Sequence, residues 1–258
     1  MYDTLYSQMP VLILVFVRFT GMVAFNPLFA RRNFPAMARM GLIGALTLLV
    51  APGLPAGHLA GITTLELVAG MASELAVGLC CGYVFQVFYY MLIFTGDQMD
   101  MAFGLSMAKA MDPGTNIQMS VSSTFLNLAF IIYLFSTNSH LILIRLFSTS
   151  FVLIPAGGSI VTGQLPRFMV EVFGYAFQLA YQLALPFIAM ELVLEFSVGI
   201  LMKFIPQINV FVVNIQLKVL LGIALLFFFV PAVSSFLNGY LELTFTRMQD
   251  ILLLMAPA

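Results

Sequence analysis

Tryptophan is absent from this sequence, and cysteine and histidine occur twice each. The two cysteines, Cys80 and Cys81, are adjacent in an apolar stretch. They indicate neither a disulfide framework nor a metal site and read as small packing residues. His58 and His140 lack metal-ligand spacing, and no H-E-x-x-H, G-x-S-x-G or P-loop pattern occurs. Asp97 and Asp100 lie three apart on one helical stretch, too local to hold a water between them as an intramembrane dyad would. Neither an enzyme nor a cofactor is expected. Charge is the scarcest commodity of all: 8% of residues, against about 25% in a soluble domain. A soluble chain of this length cannot cover its surface with so few charges, so an integral membrane protein is expected. Ten basic residues face eleven acidic ones, for a net charge of -1. That balance argues against a nucleic-acid partner and against a polybasic membrane patch. Met1-Tyr2-Asp3 has no basic run, and the apolar stretch from Met9 to Ala30 is long enough to span. It therefore reads as a first span rather than a secretory signal.

What remains is 62% hydrophobic. A spanning helix takes roughly 20 apolar residues. Six apolar segments meet that measure, at about 9–30, 37–53, 64–96, 119–154, 168–204 and 208–255. The last three are too long for single spans, and Pro155, Pro186, Pro206 and Pro231 punctuate them. Proline ends or kinks helices, so helical hairpins or broken helices are expected. No Ser/Gly-rich linker or charge block divides the chain, which predicts one all-α, membrane-type domain over residues 1–258. Arg31, Arg32 and Arg39 cluster after the first segment and place that loop in the cytoplasm. The 17 methionines and 26 phenylalanines read mostly as core or lipid-facing residues. A methionine at a constriction would make a deformable seal.

Charges within or beside apolar segments are Arg18, Glu74, Asp97, Asp100, Arg145, Glu191, Glu195, Lys203 and Lys218. Such residues are expensive in a span and face a bundle interior, water or one another. Pairing within the chain or with a neighbouring subunit is the plain reading, and a proton relay the sharper one. Two stripes recur every fourth residue: Gly70, Glu74, Gly78, Gly82 and Gln86, then Glu191, Glu195, Gly199 and Lys203. A row at i, i+4, i+8 forms one ridge on a helix. Small residues on that ridge, such as the G-x-x-x-G of Gly78 and Gly82, let another helix approach closely. The partner can be a helix of the same chain or of another subunit. Residues 74–86, ELAVGLCCGYVFQ, and 195–207, EFSVGILMKFIPQ, share four identities in register. They fit either chance or the trace of an internal repeat.

The sharpest local feature is residues 104–114, GLSMAKAMDPG, which interrupt an apolar stretch with Lys109, Asp112, Pro113 and flanking glycines. Backbone that leaves the helix at membrane depth is tolerated only when buried in protein or lining a water-filled cavity. The segment therefore helps to wall a path across a membrane.

Several stretches in order resemble the FliR family, the export-gate subunit of the flagellar type III secretion apparatus, and its injectisome counterparts. Glu74-Leu-Ala-Val-Gly78 with Gly82 is similar to the family's E-L-x-x-G-x-x-x-G. Gly96, Asp100, Gly104-Leu-Ser106, Ala108 and Asp112-Pro113 are similar to its G…D…GLSFA…DP. Leu185-Pro186, Gly199, Pro206-Gln207-Ile-Asn209-Val-Phe211, Lys218 and Gly222 make the third stretch. Arg18, Pro27, Pro35, Gly41-Leu42, Ala51-Pro52 and Leu54-Pro55 fit the N-terminal pattern, and Asn138-Ser139-His140 takes the place of N-G-H. The resemblance covers nearly the whole chain. Met107, Ala110 and Met111 stand where the family has phenylalanines, Asn214-Ile215-Gln216 stands where it has G-x-P, and Ser139 replaces a glycine.

The resemblance implies a non-enzymatic conduit in the bacterial inner membrane and flagellar basal body. It implies partners: several FliP-like and FliQ-like subunits in a cone-like helical pore, FlhB and FlhA on the cytoplasmic side, and rod proteins distally. Unfolded export substrates pass through. It also implies a lumenal plug, here Met107, Ala110, Met111, Asp112 and Pro113. The packing faces expected to meet other subunits are Gly70, Glu74, Gly78, Gly82, Gln86, Glu195, Gly199, Pro206, Gln207 and Asn209. Such a subunit need not lie in the bilayer, because sister subunits can cover apolar faces as lipid does. The alternatives are an injectisome export gate and an ion-coupled transporter with broken helices.

Overall fold

The computed structural model describes residues 2–30, 34–55, 62–105, 110–111, 118–158, 163–205 and 210–257. They form seven α-helices in chain order: α1 (Tyr2–Ala24), α2 (Ala36–Val50), α3 (Thr64–Ala102), α4 (Val121–Ser136), α5 (Ser139–Leu153), α6 (Leu165–Phe204) and α7 (Val210–Leu254). A 3₁₀ turn, Ala51–Gly53, follows α2. Two short strands, β1 (Ala110–Met111) and β2 (Gln118–Met119), lie between α3 and α4. The chain is an all-α protein of membrane type. Among the described residues four helices are long and apolar enough to cross a membrane, or five when the bent pair α4 and α5 counts as one span.

Local chemistry explains the boundaries. At the start of α3, the Thr63 backbone N–H and hydroxyl both donate to Glu66 Oε2 at 2.8 Å, and the Glu66 N–H returns to Thr63 Oγ1 at 3.3 Å. This reciprocal capping box satisfies donors that a helix N-terminus leaves open. The 119–154 segment breaks at Thr137–Asn138, between α4 and α5. Asn138 supplies the break by adopting φ 57°, a left-handed conformation that asparagine tolerates better than most residues. The other two long segments stay helical through their prolines. Pro186 lies inside α6 and Pro231 inside α7, and both helices continue past them. An interior proline removes a single hydrogen bond, and the remaining ladder of a 40-residue helix keeps the segment helical.

The described residues divide into two compact units, each assembled from separate stretches of chain. The first comprises residues 1–88, 138–173 and 243–258. Its core holds Leu14, Phe19 and Met22 of α1, Val77, Cys81 and Phe85 of α3, Phe147 and Phe151 of α5, and Met248 and Ile251 of α7. Phe19 meets Phe151 edge-on at 5.2 Å. The second comprises residues 89–137 and 174–242. Tyr89 and Leu92 of α3, Phe103 just after it, Leu126 and Phe130 of α4, Ala180 and Phe187 of α6, and Leu237 of α7 fill its core. There the Tyr89 hydroxyl donates to Asn127 Oδ1 at 2.9 Å, which satisfies two buried polar groups at once.

Candidate functional site: the break after α3 and the polar clusters

Within the second unit the two ends of the break are fixed. Phe103 is buried at the end of α3, with its ring 6.2 Å from that of Phe187. Gly222 of α7 makes room for it, since a Cβ there would lie 2.7 Å from Phe103 Cγ. Gly104 then takes φ 69°, the left-handed conformation that ends helices. At the far end Ser120 caps α4, accepting from the Ser123 N–H at 3.4 Å. The buried Asp100 carboxylate accepts from the Ser122 N–H at 3.1 Å and from the Ser122 hydroxyl. Ser123 Oγ donates to the Ile93 carbonyl at 2.6 Å. Gly96 permits this approach, because any Cβ on it would run into the backbone of Ser122 and Ser123. The loop therefore leaves and re-enters the helical frame through one stapled stem. Between the ends, β1 and β2 pair antiparallel, with Ala110 opposite Met119 and Met111 opposite Gln118.

Asp100 does work that its place in an apolar run hides. A carboxylate accepting hydrogen bonds at a helix N-terminus is stabilised by the open N–H groups and by the helix dipole. Asp100→Ala is expected to cost about 2 kcal/mol, the usual worth of hydrogen bonds to a charged group. Thermal unfolding in detergent should show a midpoint lowered by several degrees, with Asp100→Asn intermediate. An unchanged midpoint for Asp100→Ala would deny the stem its role.

The first unit holds a fully buried ion pair. Arg18 Nε and Nη2 donate to the two oxygens of Glu74, and Nη1 donates to the Ser150 and Ile154 carbonyls at 2.9 Å. Glu74 Oε1 also accepts the Gly157 N–H at 2.7 Å. The guanidinium lies 4.1 Å from the centre of the Phe151 ring. Both side chains are 0% exposed. The ridge that carries Glu74 follows the same course along α1. Gly70 faces Leu14, Gly78 faces the Arg18 carbonyl and the Gly21 Cα, and Gly82 faces Phe25 Cβ. Of the two partners open to this ridge, a helix of the same chain occupies these four positions. Gln86 is half-buried.

The second ridge behaves differently. In the second unit Lys218 Nζ of α7 donates to Glu191 at 2.7 Å and to Glu195 at 2.6 Å, both on α6. Among the described residues nothing lies within 4 Å of where a Gly199 Cβ would be. The plain reading of the embedded charges thus describes Arg18, Glu74, Glu191, Glu195 and Lys218, while Arg145 and Lys203 are exposed.

Several expected site residues cannot be placed. Met107, Asp112 and Pro113 of the plug lie outside the described residues, and for Ala110 and Met111 the backbone alone is described. Pro206, Gln207 and Asn209 also lie outside them. Sequence reasoning missed Gly21, Ser122 and Ser123. A signal for the last two was present: Ser120-Val-Ser-Ser123 directly before an apolar run is an N-cap signature. Among the described residues no group of three or more His, Cys, Asp or Glu is placed to hold a metal ion.

These features can be set beside known proteins. The family model for bacterial export proteins, family 1, matches residues 9–244. The flagellar biosynthetic protein FliR of Escherichia coli K12 is 25% identical over 236 residues, covering 92% of this chain and 90% of that protein. FliR of Bacillus subtilis 168 is 26% identical and covers 98% of each chain. FliR of Pectobacterium carotovorum is 28% identical, with 92% and 90% covered. A match of this extent, over a multi-span helical chain, leaves one assignment: the chain belongs to the bacterial export proteins, family 1.

Proposed function

We propose that this chain is the FliR-like subunit of a flagellar type III export gate. It forms part of the pore through which unfolded flagellar proteins cross the inner membrane, and it carries out no reaction of its own. Its partners are FliP-like and FliQ-like subunits, with FlhB and FlhA on the cytoplasmic side and rod proteins distally. Family membership supplies the export role. The observation that favours a subunit over a solitary transporter is the length of its uncovered apolar surface. Large apolar side chains are exposed along α6 from Tyr175 to Phe204. At 1.5 Å per residue that strip runs about 44 Å. The hydrocarbon layer is about 30 Å thick and offers about 39 Å even to a helix tilted by 40°. The hydrocarbon layer leaves the ends of the strip uncovered, which supports contact with other subunits there. This supports a placement partly above the bilayer plane.

Affinity recovery of the tagged chain from native membranes tests the reading. FliP-like and FliQ-like chains should come with it, and flagellar export should stop when the chain is deleted. Recovery of the chain without such partners would sink the proposal.

In this reading the loop between the stapled ends is the plug, with Met107, Ala110, Met111, Asp112 and Pro113 as its sealing residues. Deleting residues 104–111 is expected to leave assembly intact and to raise the resting ion conductance of cells holding the complex. The motive is a helix that ends at Ala102 and a stem that holds itself together without the loop. An unaltered leak in a conductance assay counts against the plug.

A further inference from the structure

We infer that the face of α6 carrying Glu195 and Gly199 is the seat of a helix from another subunit, one that presents a basic side chain followed three residues later by a small residue. The inference rests on the proposed role of the chain as a pore subunit and adds the chemistry of the partner. It starts from two ridges of like composition. Glu74-x-x-x-Gly78 on α3 and Glu195-x-x-x-Gly199 on α6 each offer a carboxylate and, one turn on, a glycine. In the first unit the ridge is occupied. The helix that occupies it presents Arg18 to Glu74 and Gly21 to Gly78, an R-x-x-G pattern. The chain thus displays which helix such a ridge accepts.

The second ridge has a vacant counterpart position. No described residue comes within 4 Å of a Gly199 Cβ, and Phe196 beside it is 73% exposed. Among the described residues its charges do not balance locally. One ammonium, Lys218, serves two carboxylates, and the Glu195 side chain remains 51% exposed. Lys203 does not make up the difference, because it lies eight residues from Glu195, about 12 Å along the axis. A half-solvated carboxylate on an otherwise apolar face attracts a cation once that face is covered. Leu192, Val193 and Ile200, all exposed, supply the apolar flanks. Charge complementarity therefore asks for one basic residue opposite Glu195. The open Gly199 asks for close backbone approach one turn later.

A photoreactive benzoylphenylalanine at position 196, in the complete complex purified from native membranes, identifies the occupant. The expected crosslinked peptide belongs to a different subunit and has Lys or Arg within one turn of the crosslink and Gly, Ala or Ser three residues after it. Complex recovery should fall at least tenfold for Glu195→Lys and for Gly199→Leu, and several-fold for Glu195→Gln, with the amount of chain in the membrane unchanged. Changing the partner's basic residue to Glu should restore recovery with Glu195→Lys. Crosslinks to lipid alone, a peptide without a basic residue, or normal recovery of Glu195→Lys would each overturn the inference. In those cases a wild-type complex that still forms leaves the subunit role standing. Absence of partners from the wild-type preparation removes both.

Discussion

Glu74→Ala is expected to strip the folded chain from the membrane almost completely. Arg18 is fully buried, and its donors are spent on Glu74, the Ser150 carbonyl and the Ile154 carbonyl. Removing the carboxylate leaves a guanidinium in the core with two carbonyl oxygens and the Phe151 ring for company. Breaking one side of a buried pair costs about 3–5 kcal/mol. That is a large part of the roughly 5–15 kcal/mol that holds a domain folded. The Gly157 N–H loses its acceptor as well, and Gly157 sits at φ 81°, so the turn after α5 loosens with it. The informative comparison is the double variant Arg18→Met/Glu74→Met. It removes both charges while keeping volume, so it should recover roughly half of the loss seen in either single variant. Recovery stays partial because the Ile154 carbonyl and the Gly157 N–H lose the partners that Arg18 and Glu74 give them, while the Ser150 carbonyl keeps the Ile154 N–H at 2.9 Å. The yield of monodisperse protein after mild detergent extraction reads this out directly. Glu74→Ala at wild-type yield, or a double variant no better than the single ones, would mean that the pair does not hold the first unit together.

The ridge carrying Glu74 shows what was legible in the residues and what was not. A fourfold spacing of glycine and glutamate places those side chains on one stripe, because helix geometry is fixed. Which helix meets the stripe is a separate question. The same pattern is occupied by α1 at Gly78 and stands open at Gly199. Arg18 and Glu74 are 56 residues apart, and Asp100 and Ser122 are 22 apart. Those pairings belong to tertiary structure, and a list of charges in apolar runs does not contain them. The prolines illustrate the converse. Pro186 and Pro231 are local breakers by chemistry, yet each costs one hydrogen bond within helices of 40 and 45 residues. Asn138 was the real breaker of the 119–154 segment, through a φ that the sequence permits but does not dictate. The interruption after α3 was visible as composition, and its stapled stem was not.

Gly78→Leu is expected to be as damaging as loss of Glu74, by a different route. The Cβ of any residue at 78 would strike the Arg18 carbonyl and come within 2.9 Å of the Gly21 Cα and 3.0 Å of the Met22 N. All three are backbone atoms, so no rotamer change relieves the clash and α1 must move away from α3. Overpacking a core costs about 1–3 kcal/mol and more when backbone must shift. Displacing α1 also lengthens the Arg18–Glu74 bonds, so the two losses compound rather than add. The ridge predicts a gradient. Alanine at Gly78 should cost roughly 3 kcal/mol. Alanine at Gly82, whose Cβ would lie 2.7 Å from Phe25 Cβ, should cost less, because Phe25 sits beyond the end of α1 in a turn that can adjust. Alanine at Gly70 meets only Leu14 Cδ2 at 3.2 Å and should be nearly neutral. Alanine at Gly199 meets none of the described residues and should leave the fold of the lone chain untouched. Thermal unfolding of the four alanine variants in detergent checks the order. Equal gains at Gly70 and Gly78, of about 1 kcal/mol, would mean that helix propensity, which favours alanine over glycine, governs the ridge instead of close approach.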